Sequence, residues 1–537
     1  MGGIGRRTIV KAGLGLGAAA QPLRTARAEQ PDAQAGARPV RPLDLAPFEE
    51  TLAALSVPRR WGLDLLLRER GVAEIGERLA SGQVTAVELV AWHVGRIVAH
   101  DAALRSVLEL NPDAPAIAAG LDAELARGER RGALHGIPVL LKDTIGTGDR
   151  MHTTAGAAAL RYARCDRDAA LVTALRAAGA VVLGKANLSE WSYWMSSVAP
   201  SGYSALGGQT VSPYGAGIDP WGSSTGSAVA VSAGFATLAV GAETAGSIVS
   251  PAARASVVGM RPSHGLVGRD RVIPICGEVD TAGPLGRSVA DIAALLTTLA
   301  ASGDGAPADR TSATRGTDFS AALQPRALRR VRIGVVAAAE TVDAPDEAAI
   351  AYLGLEETVA AMRRAGAKVT VARAAPFAFE GPGFVPQFDR AMRTGVDAYL
   401  RATEAPVTSL AEVIAFNDED PAAYAPWGQD RLWAGQTSPL GAGAARALAK
   451  SNREQAEAYL GGLLAEQELD ALVTVDSMLS LIYPFADFPA IAVPAGLNPW
   501  GTPFAATFVG RRGSDAELLG FAYAFEQASR LRVPPRL

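Results

Sequence analysis

Asp168-Ala-Ala-Leu-Val-Thr-Ala-Leu-Arg-Ala-Ala178 reads as a helix, and Ala180-Val-Val-Leu183 directly after it as a short buried strand. The same step recurs at Glu357–Ala365 followed by Lys368–Val371, and Arg330–Val336 is another strand. Upstream, Ile137-Pro-Val-Leu-Leu141 is an apolar strand ending in Lys142-Asp143, and Asn111–Arg127 is helical. From about Val72 the pattern is helical too, with Thr85 as the N-cap of a segment carrying Val87, Leu89, Val90, Val94 and Ile97. Helices alternating with short apolar strands predict an α/β fold whose sheet is covered on both faces.

Four segments interrupt this alternation. Residues 29–60 are rich in Pro, Ala and Arg and predict an irregular stretch within an N-terminal arm, 29–71. Residues 201–251 are rich in Gly, Ser and Thr, too apolar for disorder and too broken for one helix, which predicts a site shaped by backbone. Residues 301–325 predict a surface loop. Residues 373–435 hold aromatics and prolines without clear periodicity and predict an inserted cap over the site.

Composition narrows the function. The chain has 537 residues, 49% hydrophobic and 20% charged, ordinary globular material. A net charge of −4 with no long basic run argues against a nucleic-acid partner. His93, His100, His135, His152 and His264 are scattered, with no H-E-x-x-H and no Cys/His cluster, so no metal site is expected. Cys165 and Cys276 make no disulfide framework. Of 51 basic residues only five are lysines: Lys11, Lys142, Lys185, Lys368 and Lys450. Arg replaces Lys on a solvated surface, but not where an amine must lose its proton, because guanidinium stays charged.

Arg6-Arg7-Thr8-Ile9-Val10-Lys11, an apolar stretch to Ala20 and Ala26-Arg27-Ala28 form a twin-arginine export signal with a cleavage-like site. Its removal at residue 28 leaves 46 basic against 55 acidic residues, about −9. A periplasmic or secreted protein is expected, with no membrane span in the mature chain: the small-residue run Ser227–Val240 is 14 residues long and meets Glu243.

Three motifs carry the chemistry. They are His135-Gly-Ile-Pro-Val-Leu-Leu-Lys142-Asp143, Trp221-Gly-Ser-Ser-Thr-Gly-Ser227, and Gly241-Ala-Glu-Thr-Ala-Gly-Ser-Ile248 running on to Pro251-Ala-Ala253. With Gly184-Lys-Ala-Asn-Leu-Ser-Glu-Trp191, Asp280-Thr-Ala-Gly-Pro284, Phe488-Pro-Ala-Ile491, Val493-Pro-Ala-Gly496 and Phe525-Glu-Gln-Ala528, in this order, the chain resembles the amidase signature family from about Val72 to Pro535. The resemblance implies the amidase-signature fold, with a mixed, twisted central sheet and a single domain over 72–535. It implies a Ser–Ser–Lys catalytic unit: Lys142, Ser223 (held on a cis peptide in the family) and the nucleophile Ser247. The two serines stand 24 residues apart, as the family pattern requires. It implies an acyl-enzyme route for carboxamide hydrolysis, with no cofactor.

The residues suit those roles. A serine hydroxyl needs an adjacent base, and a lysine serves only when its pKa falls from about 10.4 towards about 7–8. Burial at the end of an apolar strand pushes Lys142 that way. Backbone N–H groups of Thr244, Ala245 and Gly246 are the expected oxyanion hole. Ala245 departs from the family's second glycine, and is tolerable if its φ stays negative. Glu243 replaces a common Asp, and Val249 a common Arg. Together with Gly207-Gly-Gln-Thr210, these features are similar to the bacterial peptide-amidase branch, which implies the C-terminal amide of a peptide as substrate. Loss of the Arg is consistent with a neutral, small-molecule or peptide amide.

Other readings stay open. An acylamidase or linear oligoamide hydrolase shares the same unit; a glutamine-hydrolysing subunit of a tRNA amidotransferase is disfavoured by the export signal and the charge. A non-catalytic binding protein is disfavoured by the retained Lys142, Ser223 and Ser247. Gly222-Ser-Ser-Thr-Gly226 also reads as the G-x-S-x-G elbow with Ser224 as nucleophile. That elbow needs a strand before it and an acid and histidine after it; residues 212–220 are no strand and His264 is the sole downstream histidine. Lys185 reads as structural or solvated, with substrate contact as its alternative, and Lys368 and Lys450 as solvated. Asp143 and Glu243 support the site or merely end their elements. Trp194 and Trp221 are candidate substrate contacts or core. Oligomeric state is not legible.

Overall fold

Residues 41–303, 316–337, 341 and 343–537 are described by the computed structural model. The short apolar runs become strands β1 (Val107–Leu110), β2 (Pro138–Lys142), β3 (Val181–Ala186), β4 (Tyr203–Ser204), β5 (Gly208–Gln209), β6 (Leu238–Glu243), β7 (Val258–Arg261), β8 (Thr281–Gly286), β9 (Arg332–Val336), β10 (Lys368–Ala372), β11 (Ala471–Val475), β12 (Ala490–Leu497) and β13 (Pro503–Val509). β4 and β5 pair with each other; the other eleven form one sheet in the order β1-β3-β2-β6-β8-β7-β12-β13-β11-β9-β10. Parallel pairs (β3/β2, β2/β6, β11/β9, β9/β10) are joined by antiparallel ones, so the sheet is mixed. Every residue of β2, β3 and β8 is buried, as strands with helices packed on both faces require.

The quoted helix-then-strand step is the helix Ala170–Ala177 and β3, and its repeat is the helix Glu356–Arg364 and β10. The stretch 111–127 is helical over Ala114–Ala126. Thr85 caps the helix Ala86–Leu104, its hydroxyl accepting from Glu88 N at 3.1 Å while the Glu88 carboxylate takes the Thr85 N–H at 3.1 Å.

Two readings of irregular backbone need correction. The arm is not irregular where it is described: Glu49–Ala54 and Val57–Leu67 are helices, and Leu63 and Leu67 are buried. Pro58 falls in a first turn, where its missing N–H costs nothing, and Ser56 caps that turn. The proline that suggested irregularity marks a helix start. Likewise 373–435 contains the helices Val385–Arg401, Leu410–Glu419, Pro421–Tyr424 and Asp430–Thr437. In the first, Phe388, Met392, Val396 and Tyr399 recur every three to four residues and are buried. In 301–325, Phe319–Ala322 form a 3-10 turn with Phe319 buried, and 304–315 lie outside the described residues. So does the export signal at 1–28. Among the described residues no helix is long and apolar enough to cross a membrane. Cys165 and Cys276 are both buried and free.

Candidate active site

β2 and β6 are parallel neighbours, with Leu141 beside Val240, so their carboxyl ends lie side by side. That edge is where open α/β sheets place ligands. Lys142 is the last residue of β2 and is fully buried. Its Nζ donates to Ser223 Oγ at 2.7 Å and to the Ala242 carbonyl of β6 at 3.0 Å. Burial pushes its pKa down to about 7, against the opposing pull of the Asp280 and Glu243 carboxylates. Close to neutral pH a substantial fraction is therefore free amine.

Ser223 precedes the helix Thr225–Ala233, and the Gly222–Ser223 peptide is cis. The Ser223 carbonyl accepts from Ser189 N at 3.1 Å, and Ser224 N donates to the Ser247 carbonyl at 2.9 Å. The loop of the first serine is thus pinned to the residue that is the second. Ser224 Oγ donates to the Ala242 carbonyl at 3.1 Å and accepts from its N–H at 3.2 Å, so its hydroxyl is engaged by β6. The His264 ring meets the Gly277 carbonyl and Arg269, not Ser224, which removes the elbow reading's base.

β6 ends at Glu243 and turns through Thr244-Ala245-Gly246 into Ser247 and the helix Val249–Arg254. Ser247 is 6% exposed, so it is nearly but not wholly closed off from solvent. Gly246 has φ +85°, a left-handed conformation that glycine adopts without strain; Ala245 is not among the positive-φ residues, so its methyl is accommodated. The backbone N–H groups of Thr244, Ala245 and Gly246 have no acceptor among the described residues.

The turn is held from outside. Glu243 Oε2 accepts from Ile248 N at 2.7 Å and Val249 N at 3.1 Å, and Oε1 from the Tyr483 hydroxyl at 2.9 Å. Buried Arg261 donates to the carbonyls of Glu243 (3.0 Å) and Val279 (2.6 Å). Thr244 Oγ1 donates to Asp280 Oδ1 at 2.5 Å, while Oδ2 takes the N–H groups of Ile275 and Cys276 at 2.9 and 2.8 Å. Burial raises Asp280 to about 6 despite these donors. Tyr483, Arg261 and the Thr244–Asp280 pair escaped the sequence reading; Asp280 was visible as the head of a motif, but without a role. A cavity of about 450 Å³ opens against Ala242, Thr244 and Asp280.

The remaining candidates have partners of their own. Trp194 donates its indole N–H to Asp389 at 3.1 Å and meets Phe388 edge-on at 5.2 Å. Trp221 lies under the Arg254 guanidinium, 3.7 Å from its ring centre. Neither lines the cavity. Asp143 turns away from Lys142 and accepts from the N–H groups of Thr154 and Gly156. Lys185, fully buried, donates to the Ile145 carbonyl at 2.7 Å and Thr153 Oγ1 at 2.8 Å, a structural role. Lys368 and Lys450 are exposed.

The amidase family model matches residues 88–412. A protein of Arabidopsis thaliana named "probable amidase" is 35% identical over 490 residues, covering 88% of this chain and 92% of the other. The chain belongs to the amidase family. This amidase is therefore a hydrolase of carbon–nitrogen bonds. Among solved structures it is similar to an amidase family protein of Bacillus anthracis (TM-score 0.83, 34% identity, 92% of this chain and 97% of the other). It is also similar to the native peptide amidase of Stenotrophomonas maltophilia (TM-score 0.79, 37% identity, 87% and 99%).

Proposed function

We propose that this amidase hydrolyses carboxamides through Ser247, Ser223 and Lys142, and that its substrates are the C-terminal amides of peptides. The observation that carries the mechanism is a fully buried lysine, pKa about 7, hydrogen-bonded to a serine at 2.7 Å. Ser247 Oγ attacks the carbonyl carbon, its proton passes to Ser223, and the Ser223 proton passes to the free amine of Lys142. The negative oxygen of the tetrahedral intermediate is met by the N–H groups of the Thr244–Gly246 turn, which have no acceptor among the described residues. The C–N bond breaks as the proton returns from Lys142 through Ser223 to the leaving nitrogen, and ammonia departs. Water then attacks the acyl-enzyme by the same relay, releasing the carboxylic acid and restoring Ser247.

The peptide reading is supported by the 37% identity to a peptide amidase and by Val249, where the family commonly carries an Arg that could pair with a carboxylate. Ammonia release across peptide amides, free carboxamides and anilides tests it: peptide amides are turned over fastest. Ser247→Ala and Lys142→Ala each abolish turnover, and unchanged hydrolysis in either sinks the mechanism. The same proposal sends the protein to the periplasm or exterior by the twin-arginine route; Arg6→Lys with Arg7→Lys retains it in the cytoplasm.

A further inference from the structure

We propose that the cavity between residues 269–277 and the helix Val385–Arg401 receives a large, uncharged side chain on the residue bearing the scissile carboxamide. The enzyme then selects bulky apolar amides over small or acidic ones. This rests on the carboxamide reading above and names the substrate class within it.

The cavity, about 450 Å³, is of a size that takes small ligands. Ala242, Glu243, Thr244 and Asp280 are on its lining while Lys142, Ser223 and Ser247 are not, so it borders the first residue of the turn that would hold the scissile carbonyl and lies beside the nucleophile rather than around it. Val272, Ile273, Pro274 and Ile275 line it from the loop, and Gly395, Ala398 and Tyr399 from the helix. Charged residues on the lining are engaged. Asp270 pairs with Arg167 at 2.7 Å, Arg271 with Asp166 at 2.8 Å, and Arg269 bonds to His264 and the Gly277 carbonyl. An acidic substituent would meet no spare cation there and would approach the Asp280 carboxylate, so its desolvation would go uncompensated. An apolar substituent gains from leaving water.

The width is set by what the helix leaves out. Gly395, Ala398 and Ala402 all line the cavity, and the spacing of three and four residues puts them on one helix face. At Gly395 a Cβ would stand 2.7 Å from Pro274 Cγ, so helix and loop touch there and close one end. Ala398 and Ala402 are exposed, and larger side chains at either position fill the mouth without entering the core.

The test is kcat/KM for N-acetyl amides of phenylalanine, leucine, glycine and glutamate. The wild-type enzyme favours the phenylalanine and leucine amides over the glycine amide by roughly tenfold to a hundredfold, with the glutamate amide slowest. Ala398→Phe, and independently Ala402→Trp, lower the phenylalanine-to-glycine ratio by about tenfold. A ratio taken within one preparation is indifferent to the fraction folded. Equal rates on the phenylalanine and glycine amides, or a ratio unmoved in both variants, overturns the cavity assignment while leaving amide hydrolysis intact. If none of the amides releases ammonia, the peptide-amide reading has failed, and calorimetric binding of the same compounds decides the cavity. Tighter binding of the phenylalanine amide, weakened by Ala398→Phe, sustains the assignment; equal or absent binding overturns it.

Discussion

At the scale of the residue, the proposed mechanism turns on the charge state of Lys142. Four other lysines share the chain, and of those described Lys185 is tied to a carbonyl and a hydroxyl while Lys368 and Lys450 face solvent. Lys142→Arg keeps the charge and removes the capacity to be neutral, so turnover falls by about 10³-fold or more while the fold is retained, read by kinetics beside circular dichroism. The pH profile carries the same signature. In the proposed mechanism the amine is the working form, so log kcat/KM rises with unit slope as pH increases towards about 7 and levels off above it. Asp280 favours the protonated amine, and Asp280→Asn therefore moves this limb to lower pH. A limb that stays in place separates Asp280 from the titration of Lys142.

Elements matter through the way their ends are held. β6 delivers the turn, and Gly246 is where its backbone turns left-handed. A Cβ there would stand 2.9 Å from Ser250 Oγ and Ser480 Cβ. Gly246→Ala accordingly loses about 1–3 kcal/mol of stability in urea titrations and displaces the N–H groups proposed to meet the oxyanion, lowering kcat more than it raises KM. Thr85 was legible as an N-cap because it stands directly before the apolar periodic run it caps; its reciprocal partner Glu88 was found only in the structure. The helix Val57–Leu67 was not: proline was taken as a breaker, and whether it opens or breaks a helix depends on its position in the turn.

Across the whole molecule, the wall of the cavity is anchored by aromatic packing. Phe388 on the helix Val385–Arg401 stacks on Phe485 at 5.6 Å and meets Phe384 at 5.2 Å and Trp194 at 5.2 Å. Phe388→Ala removes a ring that is 2% exposed, and costs about 3–5 kcal/mol in thermal or urea unfolding. Because the same helix carries Ala398, the variant also loosens the choice between bulky and small amides, measurable on the protein that remains folded. Trp194 belongs to this anchorage, which is why its ring was conspicuous in the sequence yet does not line the cavity.

The sequence by itself determined the alternation of helix and strand, the mixed sheet implied by family resemblance, and the identity of Lys142, Ser223 and Ser247 as candidates, because periodicity, motif order and spacing are local properties of a chain. It left out Asp280 beside Thr244, Tyr483 and Arg261 around Glu243, and the helical form of 385–401 within the expected cap. Those contacts join residues 36, 240 and 18 positions apart, and only the closing of the sheet and its helices brings them together. Tertiary structure also decided the state of Lys142: the apolar strand foretold its burial, but its pKa of about 7 is the balance of that burial against two carboxylates delivered by other segments.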